Sequence, residues 1–411
     1  MKIARRRYLA GCFACALTGL AFAAGAGRAL ADTPAPAFVP IPVITTDPNS
    51  GTTVGVLPTW LVEDEERRID RIIAPDIQHN TYFGWGAHGR LLDYPSDEVQ
   101  WSAVVGVSEH VQRKIDLEYE NGRLRDTRWS FTASLLYIRD GTPHFYGIGN
   151  NTPQSAATNY TTDQKLAAAQ IGLNFTQAWQ LLYTLRLQQV DVLPGTLPGI
   201  PSVQTVYGAD LLGTTRELLN RLAIVYDTRN DLTVPSLGMR WFVYGGIATH
   251  GAFGPVQYSE GGLDGSVFWP ISRATVLATH VALRYLPSVE QAAFWQLSSV
   301  GGDRSFLGGP QPLRGFGAGR FTDRDSSSFT AELRQRVVNI GIFRTRVELE
   351  LAPFFELGKV FERASNSPVS HLHPVYGIGF RGIARPFVVG YVDVGYGQEG
   401  AAVFTGINYP F

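Results

Sequence analysis

Cysteine is almost missing from this chain. The 411 residues hold two, Cys12 and Cys15, and both fall in the N-terminal segment. Disulfides and thiolate-held metals are therefore excluded from the rest, which must be stabilised by its core or its surroundings. Methionine is as scarce, at 2, and charged residues make up only 17%. Long hydrophobic runs are lacking as well. Uncharged stretches such as Trp241–Ser259 are broken by Gly, Thr, His and Gln, so no segment after the N-terminus reads as a transmembrane helix. Signatures of catalysis are also missing: there is no G-x-S-x-G elbow, no H-E-x-x-H and no Walker motif, and the 8 His are scattered. That argues against an enzyme, a resident metal or a cofactor.

What is present begins with export. Lys2, Arg5, Arg6 and Arg7 precede an apolar stretch from Tyr8 to Ala24, and Ala29-Leu30-Ala31 offers small residues before Asp32. Residues 1–31 read as a secretory signal peptide cleaved after Ala31. Arg5-Arg6-Arg7-Tyr8-Leu9 resembles a twin-arginine signal, but clustered arginines are common in ordinary export signals, so the general route is preferred. Leu9-Ala10-Gly11-Cys12 resembles a lipoprotein box but has almost no apolar stretch before it. Removing residues 1–31 takes away five basic residues (Lys2, Arg5, Arg6, Arg7, Arg28) and no acidic one. The remainder has 30 basic against 36 acidic residues, a net charge of −6, which speaks against a nucleic-acid partner. Residues 32–50 follow as a Pro/Ala-rich lead-in.

From Gly51 onward the dominant period is two. Along Thr127–Arg139, Trp129, Phe131, Ala133, Leu135 and Tyr137 oppose Arg128, Ser130, Thr132 and Ser134. Along Trp179–Gln189, Trp179, Leu181, Tyr183, Leu185 and Leu187 oppose Gln180, Thr184, Arg186 and Gln188. Along Ser327–Val337 and Arg344–Glu356 an apolar row again faces a row of Ser, Thr, Glu and Arg. Alternation sustained over about ten residues specifies strands with one apolar and one polar face. Fourteen further segments qualify, including 51–62, 68–78, 81–92, 292–300 and 402–411, with long loops at 140–162, 193–215 and 301–325. Aromatics reach 12% and cluster near strand ends. A soluble sandwich or propeller also alternates, but these strands are long and no blade motif repeats. The reading is all-β: residues 51–411 form a transmembrane antiparallel β-barrel in a bacterial outer membrane.

Three stretches go further. Leu313-Arg314-Gly315-Phe316 sits in the Gly-rich loop 301–325. Tyr226-Asp227-Thr228-Arg229-Asn230 precedes Pro235 and Gly238. At the end, Val403, Thr405, Ile407, Tyr409 and Phe411 share a face, with Gly406 between them. Together they resemble the barrel of the BamA/TamA (bacterial surface antigen) family. The resemblance implies a 16-stranded barrel with the long loop folded into the lumen. It implies that Arg314 pairs there with Glu332 and Glu356, both on polar faces by alternation. It further implies that Gly406, Tyr409 and Phe411 form a C-terminal signal read by barrel-insertion machinery during biogenesis. Phe404, where the family usually has a polar residue, departs from that pattern. The 226–230 segment reads as a strand end and turn, and His280 as a lumen residue rather than a metal ligand. Family members that insert or secrete proteins carry POTRA domains before the barrel, and residues 32–50 are too short for one.

Two functions follow as expectations. One is assembly or translocation of outer-membrane proteins or lipids, with client membrane proteins and outer-membrane lipids as partners, through an opening between first and last strands. The alternative is a passive or selective pore, and a structural surface protein is a third reading.

Overall fold

A computed structural model describes residues 37–64, 69–303, 313–342, 345–363, 367–384, 388–407, 409 and 411. The expected signal peptide, 1–31, lies outside them. Eighteen strands form one closed antiparallel sheet. The first six are β1 (Ala37–Asp47), β2 (Gly51–Glu63), β3 (in two pieces, Ile69–Ile73 and Asp76–Asn80), β4 (Gly84–Ser96), β5 (Val99–Ser108) and β6 (Arg113–Asn121). Next come β7 (Trp129–Asp140), β8 (Thr158–Asn174), β9 (Trp179–Pro194), β10 (Gly213–Asp227), β11 (Gly238–Thr249) and β12 (Val256–Pro270). The last six are β13 (Thr275–Ser288), β14 (Asp325–Ile342), β15 (Thr345–Phe361), β16 (His373–Ala384), β17 (Val388–Gly397) and β18 (Gly400–Ile407).

Eighteen corrects the sixteen that the resemblance implies; it equals the number of alternating segments read from the sequence, but only because one strand is gained and one candidate is lost. The 32–50 segment, expected to be a lead-in outside the barrel, contains β1, so the sheet begins at Ala37 and not at Gly51. Its period of two was hidden by Pro40 and Pro42, residues that a central strand rejects but an edge tolerates. Conversely, 292–300 is not a barrel strand. It makes a 3-10 turn at Phe294–Gln296 and a short strand, Ser298–Val300, which pairs with Phe321–Asp323 apart from the main sheet.

The burial of the two faces is inverted relative to a soluble sandwich. On β9, Gln180, Thr184, Arg186 and Gln188 are buried while Trp179, Tyr183 and Leu187 are exposed. On β7, Trp129, Phe131 and Leu135 are exposed. An apolar exterior over a polar, enclosed interior is stable only where hydrocarbon replaces water outside. Aromatics mark its two margins: Trp129, Trp179 and Trp269 at the strand ends joined by short turns, Tyr376 and Tyr396 towards the other. Antiparallel order puts the loops 141–157, 195–212 and 289–324 at one end, and turns such as 175–178 and 271–274 at the other.

Candidate functional site

The loop after β13 returns to β14 through a tight turn. The Leu313 carbonyl accepts from the Phe316 N–H at 3.1 Å, and Leu313 and Gly302 are joined by a 2.9 Å backbone bond. Leu313 and Phe316 are buried with Val300, Phe321, Phe354, Val360 and Val375. Phe316 meets Phe321 edge-on at 5.2 Å, and Phe321 stacks on His373 at 3.9 Å. The turn lies so close to β17 that a Cβ on Gly395 would overlap the Arg314 carbonyl, and one on Gly315 would strike the Gly397 backbone. Glycine is needed at both positions for the loop and strand to touch.

This anchoring carries Arg314, which is 0% exposed, onto the polar face of the sheet. Its Nε donates to Glu356 Oε1 at 2.7 Å, its backbone N–H to Glu356 Oε2 at 2.6 Å and its Nη1 to Asp393 Oδ2 at 2.5 Å. Its Nη2 forms an ion pair with Glu332 Oε1 at 2.8 Å, and the guanidinium lies 3.7 Å from the centre of the Phe354 ring. Glu332 also holds Arg334, at 3.0 Å, and Arg381, at 3.3 Å; Arg381 in turn grips Asp393. Three guanidinium groups thus meet three carboxylates, every side chain at most 1% exposed, so that each charge has an opposite one beside it. Burial works against the Arg314 charge, yet Glu356, Glu332 and Asp393 together hold its pKa well above the ordinary arginine value.

Glu332 and Glu356 were visible from the sequence as polar-face acids. Asp393, Arg381 and Arg334 were not identified there. Asp393 carries a signal in retrospect: it is the lone charge in the run Val388–Gly397, and it shares its face with buried Val389 and Tyr391.

The second feature is the seam that closes the sheet. β1 is matched to β2 along its whole length, from Ala37 opposite Leu61 to Asp47 opposite Gly51. β17 and β18 are matched from Gly390 opposite Ile407 to Gly397 opposite Gly400. Among the described residues, β1 and β18 meet at a single register position, Thr46 opposite Val403. Pro40 stands opposite Pro58. A pair that exchanges hydrogen bonds needs an N–H on each residue, so the polar groups of this pair point apart. Pro40, and by the period of two Pro42, therefore turn their backbone groups toward β18, where they offer carbonyls and no donor.

The chain beyond β18 corrects the expected shared face. Tyr409 and Phe411 leave the sheet and lie against its enclosed face. Tyr409 Oη donates to Glu350 Oε1 at 3.1 Å, and its ring sits 3.9 Å from the Arg334 guanidinium carbon. Phe411 stacks on His280 at 5.2 Å and lies 5.0 Å from Arg334. Pro410 has no N–H with which to continue a ladder, and Arg334 gains aromatic cover. Gly406 stays in β18 opposite Tyr391, whose ring leaves no room there for a Cβ.

Other singled-out residues fall into structural places. Asp227 ends β10 between Arg229, 2.8 Å away, and Arg125, 3.3 Å away, and Gly238 opens β11. His280 is buried and bonded to Asp264 at 3.0 Å. Among the described residues no group of three His, Cys, Asp or Glu could hold a metal.

A family model described as the Omp85 superfamily domain matches residues 99–381. No curated protein matches the sequence. Among solved structures, BamA from Haemophilus ducreyi lacking POTRA domains 1–3 is similar, with 13% identity and a TM-score of 0.52, over 90% of this chain and 75% of that one. CdiB from Escherichia coli follows with 10% identity and a TM-score of 0.47, over 93% of this chain and 63% of that one. CdiB from Acinetobacter baumannii shows 11% identity and a TM-score of 0.46, over 91% and 59%. At such identities the likeness is one of fold.

Proposed function

We propose, from the premise that this chain belongs to the Omp85 superfamily, that it works in a bacterial outer membrane by opening the seam between β1 and β18 to client polypeptide or lipid. The observation that carries this reading is the seam itself: one register position joins strands whose other edges are matched along their length. Interstrand hydrogen bonds are what hold a barrel wall against hydrocarbon, so the wall parts where they are fewest. The Arg314 turn is the lumen brace that keeps β14, β15 and β17 together while the seam moves. Client membrane proteins and membrane lipids are the partners, and insertion machinery acts on the chain during its own biogenesis.

The test is a reversible lock. Thr46 and Val403 face each other, and opposed residues in an antiparallel pair lie about 4.5–5.5 Å apart at Cα, within disulfide range. Oxidised Thr46→Cys/Val403→Cys should reproduce the outer-membrane proteome of a deletion strain, and reduction should restore the wild-type pattern. Unchanged levels of other barrels and surface lipids after deletion would sink the assembly reading, and steady single-channel conductance would favour a pore.

A further inference from the structure

The outward face changes character abruptly on four neighbouring strands. One register row joins Leu135, Ala167, Leu187 and Leu218 on β7, β8, β9 and β10. Two residues nearer the long loops the row reads Tyr137, Lys165, Gln189 and Arg216, and the next reads Arg139, Asp163, Asp191 and Thr214. An outward face that turns from leucine to charge in one step marks the level where hydrocarbon ends and headgroups begin.

A cavity of about 380 Å³ opens at that step, lined by Asp163, Lys165, Gln189, Asp191, Gly213 and Thr214 among others. Its two carboxylates face each other across β8 and β9, an arrangement that repels unless cations intervene. They are occupied within the patch. Tyr137 Oη donates to Asp163 at 3.2 Å, Thr214 Oγ1 donates to Asp191 at 2.5 Å, and Lys165 Nζ stands 3.6 Å from Asp163 and 4.0 Å from Asp191. The cations are less fully used. The Lys165 side chain is 58% exposed, and among the described residues the exposed Arg216 side chain reaches only the neutral Gln189, at 3.2 Å. Exposed Arg139 has no hydrogen bond or ion pair among the described residues. Three cations against two carboxylates leave a net positive charge.

We propose that this patch holds the phosphorylated headgroup of a membrane lipid. Lys165, Arg139 and Arg216 meet the phosphate, and the acyl chains run down the Leu135–Leu218 row. The apolar row directly beneath the cations argues for a lipid rather than a free anion, because one molecule satisfies both surfaces. The proposal rests on the membrane-barrel reading, and the test separates the two.

The full chain in detergent is examined by native mass spectrometry with phosphatidylglycerol, with diacylglycerol of the same chains, and with phosphatidylglycerol in the presence of inorganic phosphate. Wild type should retain phosphatidylglycerol, hold diacylglycerol poorly and keep its lipid when phosphate is added. Arg139→Gln/Lys165→Gln/Arg216→Gln should weaken retention about tenfold, the sum of three modest exposed contacts. Arg71→Gln on β3, a comparably exposed outward arginine, should not. Equal retention by the folded triple variant, or displacement by phosphate alone, overturns the headgroup site. Failure of wild type to fold as a barrel in detergent strikes the membrane reading instead.

Discussion

At the scale of single residues, Arg314 concentrates the most energy. Its guanidinium and backbone N–H touch three buried carboxylates, and removing one member of such a set strands the others. Arg314→Ala should therefore cost on the order of 3–5 kcal/mol, seen as a lower urea midpoint and a smaller fraction of the heat-modifiable folded band. Glu332→Gln should give a similar loss, and the double variant should lose much less than the sum. Strictly additive losses would mean the two do not act together. Asp393→Asn should be as harmful as Glu356→Gln. The sequence made Arg314, Glu332 and Glu356 legible because a loop motif and two alternating strands pointed at them. It hid Asp393 and Arg381, because nothing in the period of two says which strands of a closed sheet lie opposite one loop.

At the scale of elements, strong alternation was legible in nearly every strand, and the failures have a common cause. β1 was missed because Pro40 and Pro42 look like linker residues, although they suit a strand that is paired along one edge and at a single described register position on the other. Residues 292–300 mimic a strand because Ala293, Trp295 and Leu297 recur at every second position and Gln296, Ser298 and Ser299 supply polar residues, although the segment turns at Phe294–Gln296 and packs as a loop. In sequence the last residues keep their period of two past Ile407, where the described strand ends. A measurable consequence attaches to the prolines. Pro40→Val/Pro42→Val restores two donors on the seam edge, the one at 42 opposite Ile407 by the register of Thr46 and Val403, so it should raise the thermal midpoint by a few degrees. It should also diminish the outer-membrane phenotype rescued by wild type. A variant that is neither more stable nor less active would mean that these donors never limit the seam.

At the scale of the whole molecule, the exterior and the enclosed face exchange the roles they have in a soluble protein. The purified chain should show β-type circular dichroism in detergent and migrate differently before and after boiling. Turns, loops and the 409–411 segment pack against the enclosed face at several levels. Phe411 rests on His280, Arg314 crosses to β17, and Arg320 ties Thr152 to Glu399 at 2.7 and 2.6 Å. Planar-bilayer recordings should accordingly show brief, irregular events rather than a stable conducting level. Arg320→Ala, which unties two loops, should lengthen those events.

The prolines of β1 also bear on a moment before the barrel exists. In a chain exported from its N-terminus, as the expected signal at 1–31 would have it, β1 would reach the periplasm before β2–β18 and wait there for its partners. Exposed alternating segments in that condition pair with copies of themselves and seed fibres. A segment that lacks donors at two successive positions along one edge is a poor seed, so the prolines that thin the proposed seam should also slow self-association of the unfinished chain.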